Sequence, residues 1–470
     1  MPVPVDISEG FYETSSKQLA DLICNNLRPF VPDAPSKAKT ALKHTDGIDS
    51  FIDSTHKIAR GSIEVLGVPY FVQGNQLFSI DILGARTDLG TITGTGRVSL
   101  AASQSYIWIV VPGAASYYFN ISTQTLTTNV DPNFLGPAIS VSFKDSFFVF
   151  TTDSIIFNAN LDGITFTPTD FGTAEFNRDK IITGFVSNNQ YYAAGSASIQ
   201  VYRTTGGAGF PFSAVPNSTL DKGLASQFGF VRANNTFFFI GGGENEQAAI
   251  YRYLGGSAEK ISTIAIDEFI QGLSDDEIQG VFAWSYQSAS EEYVGFTFAN
   301  RTFVYQIQTS QKKGRHIWHE RTSSATRWRV NTIVKAYNNL YVGDERTDKI
   351  GIINSDTFTE YGDTVFREFS TQPFNFEGAP AFVGQYEMIM ATGVGNASST
   401  NPVVQHKYSI NGVNYGPIFT RSIGEAGKFN HRVVWRKMGD IEQQRVLYFS
   451  TNEPCETFFY YIEAGIELGE

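Results

Sequence analysis

The chain has 470 residues, more than one hydrophobic core usually serves, and its 39 Phe, 22 Tyr and 43 Gly with only 17% charged side chains exclude a disordered polypeptide. Its 35 basic against 47 acidic residues leave a net charge of −12, which excludes a surface built to grip nucleic-acid phosphates all over, though not a passive channel whose acidic wall keeps DNA from sticking. Two distant cysteines, Cys24 and Cys455, fit reduced thiols in a protein made in a cytosol, and neither a signal peptide nor a membrane span of about 18 apolar residues is expected.

Residues 1–45 differ from the rest. In "SSKQLADLICNNL", Leu19, Ile23 and Leu27 recur at spacings of four after a serine pair that can cap, which predicts a short helix. "RPFVPDAP" ends it, because proline lacks the amide donor. The segment reads as an N-terminal helical arm leading into the body.

From about residue 60 a unit of two aromatic-rich strands around a turn recurs. "PYFVQGNQLFSIDILG" from Pro69 is the clearest copy. Others start at Ser105, Ser146, Gln190, Asn235, Glu291 and Asn338. Taking Tyr70, Trp108, Phe148 and Tyr191 as equivalent, the steps are 38, 40 and 43 residues. A period near 40 is the length of a four-stranded propeller blade, and such blades bury their faces against one another around an axis. The expected class is all-β, with a β-propeller over residues 46–365; a large sandwich or two small β domains are the alternatives. Seven hairpins are visible. Six blades are favoured, with one hairpin pairing to a terminal strand that closes the ring. After about residue 365 the rhythm breaks. Residues 366–470 keep strand alternation at Val433, Trp435, Val446 and Tyr448 and form either the last blades or a small β-sandwich.

The stretch "HIWHERTS" is the place where the sequence most resembles a catalytic or metal site. His319-Glu320 begins an H-E-x-x-H zinc signature, but Ser323 stands where the second histidine belongs. His316 and His319 are three apart, which on a strand points them to opposite faces. Trp318 then reads as a buried strand anchor, Arg321 as a hydrogen-bonding link between strands or blades, and His319 as one of the polar neighbours on the other face. His44, His56, His406 and His431 are isolated. Gly94 and Gly96 lack a following P-loop lysine, and Ser99 replaces the third glycine of a dinucleotide fingerprint; they read as a bend between blades. "GGGENEQ" from Gly241 reads as a hairpin tip. Asp275, Asp276 and Glu277 read as a solvated loop. Arg321, Arg327, Trp328 and Arg329 interleave base and aromatic, which suits partner binding or intrachain packing better than DNA contact at this net charge. No catalytic, cofactor or metal residue is assigned, no cofactor is expected, and the chain is not expected to be an enzyme.

The succession "ALKHTDGI", "ARGSIEVLGVPYFVQGNQLFSID" and "LGTITGTGRVSLAASQSYIWIV" over Ala41–Val110 resembles the packaged-DNA stabilisation proteins of short-tailed bacteriophages, the hub or nozzle of the tail. Asp46-Gly47 stands for that family's Pro-Gly, Arg60-Gly61 for its Arg-Gly step, and Gly90–Ala102 for its "lGtI.G.g.VsmA.N" stretch. "WHERTS" is similar to its tryptophan strand, and "YSINGVNYGPIFTRSIGEAGKFNHRVVWRKMGD" to its "S.DGG" segment, with Asn411-Gly412-Val413 in place of the DGG turn. The resemblance implies a non-enzymatic virion protein with a propeller body, made in the host cytoplasm. It implies a hexameric ring beneath the portal and its adaptor, extending the DNA channel, retaining packaged DNA, and carrying tail fibres or tailspikes and a channel plug or needle. Double-stranded DNA would pass without sequence-specific binding. Residues 1–45 and the long loops are the candidate adaptor contacts, so that deleting residues 1–30 would impair assembly onto the head. A sugar-binding or glycosidase-like propeller, which would want two facing carboxyls, and a host scaffold propeller are the competing readings.

Overall fold

The computed structural model describes residues 2–173, 179–206, 209–375 and 381–468. Seven sheets surround an axis. Six are contiguous in sequence, the number favoured from the spacing: they begin at Ala59–Val65, Ser99–Ala102, Ser140–Lys144, Ile181–Ser187, Phe230–Ala233 and Phe282–Ser288, each the innermost strand of four. The seventh is composite. Val330–Ala336, Asn339–Asp344 and Lys349–Asn354 take their fourth strand from Gly47–Asp53. The expected closing hairpin thus does pair with a strand from the other end of the chain. It also brings its own inner strand, Val330–Ala336, to the axis beside those of the six contiguous blades.

The repeat is written in turns as well as aromatics. Inner and second strands are joined by two-residue turns with both φ positive: Leu66-Gly67, Asp145-Ser146, Asn188-Asn189, Asn234-Asn235 and Tyr337-Asn338. That is the turn whose twist matches a hairpin. Tyr70, Trp108, Phe148 and Tyr191 all fall in second strands and are buried. Blade faces pack through such rings; Trp108 lies 4.9 Å from Phe150 and 5.8 Å from Phe166, centroid to centroid.

Residues 366–468 form a β-sandwich, the second of the two outcomes expected. One sheet runs Val433–Arg436, Ala381–Met390, Phe458–Leu468, Ala41–His44, Leu27–Phe30. The other continues blade six: after Trp318–Glu320 come Cys24–Asn25, Arg367–Ser370, Val446–Thr451, Val403–Ser409 and Phe419–Ser422 in one nine-stranded sheet. Propeller and sandwich therefore share a sheet and one apolar core, in which Phe296 and Ile266 join Phe369, Trp435 and Phe449.

The N-terminal helical arm is not there. Residues 2–44 contribute short strands, Pro2–Val5, Tyr12–Glu13, Asp21–Leu22, Cys24–Asn25, Leu27–Phe30 and Ala41–His44, to the sandwich and its border with the propeller. The four-residue spacing misled: Leu19 is 73% exposed, while Leu22, Cys24 and Leu27 are buried at strand positions. Pairing of Asn25 with Glu320 on one side and Glu368 on the other outweighs a weak helical preference. Short helices occur elsewhere, Ile264–Gln271, Asp275–Gln279 and Ile307–Lys313, as connections within and before blade six.

Candidate functional site

Trp318–Glu320 pairs with Thr302–Gln306 and, in parallel, with Cys24–Asn25. Trp318 is 1% exposed, its ring 5.1 Å from that of Tyr305, and its indole donates to the Ile261 carbonyl at 2.9 Å. It is the anchor the sequence suggests. His319 points to the other face, and that face is not open: the residue is 1% exposed, edge-on to Tyr293. Burial, with Arg321 and Arg28 nearby, holds its imidazole neutral, well below its usual pKa. His316 lies outside the strand, with its Nδ1 3.2 Å from the Tyr305 hydroxyl. Only His319 lies in the strand, so strand alternation is not what parts the two histidines, and Ser323 donates to Glu360. Among the described residues no group of three or more His, Cys, Asp and Glu is arranged to hold a metal.

Arg321 donates to the Tyr286 hydroxyl at 2.8 Å and to the Asp46 carbonyl, its guanidinium 3.8 Å from the centre of the Trp328 ring. Trp328 donates to Glu360 at 2.8 Å. Arg329 clasps Asp344 with two nitrogens at 3.0 and 2.6 Å, and Arg327 pairs with Glu345. The basic-aromatic stretch is thus intrachain packing. Asp275, Asp276 and Glu277 form the exposed first turn of the Asp275–Gln279 helix, where Ser274 and Glu277 make a reciprocal cap. They make no facing pair across a cleft.

The Arg60-Gly61 step has a structural cause. Arg60, 1% exposed, donates to the carbonyls of Gly74, Ile92, Thr93 and Gly96 at 2.9, 3.2, 2.9 and 2.6 Å. It pins the bend between the first two blades, where Gly94 and Gly96 lie. A β-carbon on Gly61 would stand 2.7 Å from Val98 Cγ2, so the neighbouring strand fits only against glycine.

Around the axis, the inner strands enclose a cavity of about 640 Å³. Adjacent strands are laced by side chains: Ser99 to Val141, Ser142 to the Gly184 carbonyl, Ser285 to the Arg232 carbonyl and Asn331 to the Ala59 carbonyl. Arg97 reaches Asn331, and Arg232 reaches the Val186 carbonyl. Sequence reading missed both arginines, since a lone arginine in a strand carries no local pattern.

A third missed residue is Asn26, 1% exposed and left-handed at φ 53. Its amide nitrogen donates to the Thr322 carbonyl (3.1 Å), the Thr322 hydroxyl (3.0 Å) and the Phe366 carbonyl (2.8 Å). Its oxygen accepts from the Thr322 amide at 3.0 Å. One side chain thereby ties the N-terminal segment, the end of blade six and the start of the sandwich. The sandwich also holds two buried histidines. His44, between the carbonyls of Thr457 and Ser355, is pushed down to about 4 by burial and then by Arg367. His406, stacked 4.4 Å from Phe449, is pushed down to about 4 by burial.

Among solved structures the chain is similar to the extracellular domain of a one-component system of B. thetaiotaomicron, at 10% identity and TM-score 0.43, covering 83% of this chain and 47% of that one. It spans about half the length of that structure. Two others are U3-55K, at 10% identity and TM-score 0.40 over 66% and 98% of the two chains, and the designed Ika8 protein, at 12% identity and TM-score 0.39 over 75% and 99%. No curated protein matches the chain. Residues 1–358 match the family described as bacteriophage P22 Gp10, beta-propeller, and residues 366–467 the one described as bacteriophage P22 Gp10, beta-sandwich. Matched across both its propeller and its sandwich, the chain belongs to the bacteriophage P22 Gp10 family, structural phage proteins that stabilise packaged DNA.

Proposed function

We propose that the chain is the tail hub, or nozzle, of a short-tailed phage. It extends the channel below the portal and its adaptor, retains DNA after packaging, conducts it on ejection, and anchors fibres or spikes. The observation that carries this reading is the family match over both domains. The architecture supports it physically. A hub must hold its shape under the pressure of packaged DNA while meeting several unlike partners. Here propeller and sandwich are joined by a continuous sheet and core, while blade loops are free to differ. Six copies closing a ring would meet through heterologous interfaces. The protein performs no chemistry in this role, and its place is the virion.

Adaptor contact through the first 45 residues now narrows to the exposed loops over residues 15–19 and 33–37, since most of the remainder is built into the sandwich. The test is a phage lacking the chain. Its heads should fill and then lose DNA to nuclease, and images of complete particles should place a six-fold ring of this protein at the portal vertex. Heads that keep their DNA nuclease-resistant without the chain would end the proposal.

A further inference from the structure

The axial cavity carries a charge pattern opposite to that of the chain. Its lining includes three arginines, Arg60, Arg97 and Arg232, and no aspartate or glutamate, in a protein of net charge −12. Arg60 is fully engaged with loop carbonyls. The other two are not. Arg97 uses Nη2 alone, on the Asn331 carbonyl (2.6 Å) and side-chain oxygen (2.8 Å), with its guanidinium 3.4 Å from the Phe282 ring centre. Arg232 uses Nη1 alone, on Val186 at 3.0 Å. Burial lowers both, Arg97 to about 9 with Arg327 adding to the effect and Glu345 opposing it; neither forms a salt bridge with a carboxylate among the described residues.

The two cations sit at opposite ends of the inner strands. Arg97 is seven residues before the turn at Gln104-Ser105, and Arg232 is two before the turn at Asn234-Asn235. Successive inner strands run the same way along the axis, so five residues at ~3.3 Å each separate them by roughly 15 Å. One compact anion cannot satisfy both forks, whereas a chain of anionic groups can. Guanidinium forks select planar or tetrahedral oxyanions. The half-buried rings of Phe143, Phe228 and Phe230 line the same space, as they do where phosphate chains carry stackable groups. The volume, about 640 Å³, is of ligand-site size and too small for a duplex.

We propose that the axial channel of this propeller binds an extended phosphate chain, one end at Arg97 and the other at Arg232. Such a ligand also holds blades two, five and seven together. The source is either a free oligophosphate or a short single-stranded nucleic acid. This site belongs to each single propeller and is independent of any ring of copies.

The test is calorimetric titration of the purified full-length protein at constant ionic strength. Tripolyphosphate should bind once per chain, at least about tenfold more tightly than orthophosphate, as one further charge-assisted contact implies. Arg232→Gln, at the exposed mouth, should weaken tripolyphosphate about tenfold and leave orthophosphate unchanged or nearly so. Arg97→Gln should do likewise, with circular dichroism checking its fold. A thymidine tetranucleotide that competes identifies the nucleic-acid source; one that does not identifies the oligophosphate. Equal affinity for the two phosphates, no binding, or indifference to Arg232→Gln would overturn the proposal.

Discussion

Asn26 offers the sharpest measurement of how the two domains are joined. Replacing it with Ala removes four hydrogen bonds and leaves the Thr322 amide and the Phe366 carbonyl without this partner in a site that is 1% exposed. Each orphaned buried group costs about 1–3 kcal/mol, and an alanine at φ 53 adds about 1 kcal/mol of left-handed strain. The expected loss is about 3–7 kcal/mol. Asn26→Gly lifts the strain but not the orphaning, and should be less damaging by about 1 kcal/mol. Asn26→Asp keeps the acceptor for Thr322 but turns a carboxylate toward two carbonyls, and should be the worst at neutral pH. Urea unfolding followed by far-ultraviolet circular dichroism and by tryptophan fluorescence gives the order parent, Gly, Ala, Asp. An alanine variant within about 0.5 kcal/mol of the parent, or a glycine variant below it, would refute the assignment of Asn26 as the tie.

Trp318→Ala should cost about 3–5 kcal/mol, and Trp318→Phe less, since it retains packing on Tyr305 and loses mainly the bond to Ile261; thermal melts of both variants check the order. Acid should loosen the sandwich. His44 and His406 titrate near 4 when folded against about 6.5 unfolded, so their stability is full above about pH 6.5 and falls as pH drops toward 4. The loss is about 3 kcal/mol each. His44→Asn should flatten the slope of urea midpoint against pH between 6.5 and 4.5, and an unchanged slope would remove His44 from the account. Gly61→Val should disrupt the seam between the first two blades through its contact with Val98, whereas Gly96→Ala, with open space around it, should melt within a degree or two of the parent.

The propeller was legible because its information is local. Aromatic second strands at Tyr70, Trp108, Phe148 and Tyr191 repeat at blade spacing, and Trp318 stands out by size alone. The composite seventh sheet was only half legible: its hairpin shows in the sequence, but Gly47–Asp53 lies some 300 residues from its partner Lys349–Asn354, and nothing in "GIDSFID" names that partner. The N-terminal segment failed for the same reason. Leu19, Ile23 and Leu27 imitate a helical face, while the pairing that decides their fate involves Glu320 and Glu368. Buried arginines were illegible one by one. Arg60, Arg367 and Arg445 serve loop carbonyls, a role with no fixed spacing. The family resemblance rested on the right residues in one case with a visible cause, the Arg60-Gly61 step.

The composite sheet also sets an order of events during synthesis. Residues 2–53 leave the ribosome first, yet their partners lie in Lys349–Asn354, Arg367–Ser370 and Phe458–Leu468. Six blades can form in sequence as they emerge, while the leading segment waits with unpaired strand edges and an exposed Leu27. The ring cannot lock until Lys349–Asn354 is made, nor the sandwich form until nearly the whole chain is. Long-range closure of this kind is slow and exposes edges to neighbouring chains. The nascent protein is therefore most prone to aggregate just before completion, and truncation near the C-terminus should leave Pro2–Val5 and Ala41–His44 without their partner Phe458–Leu468.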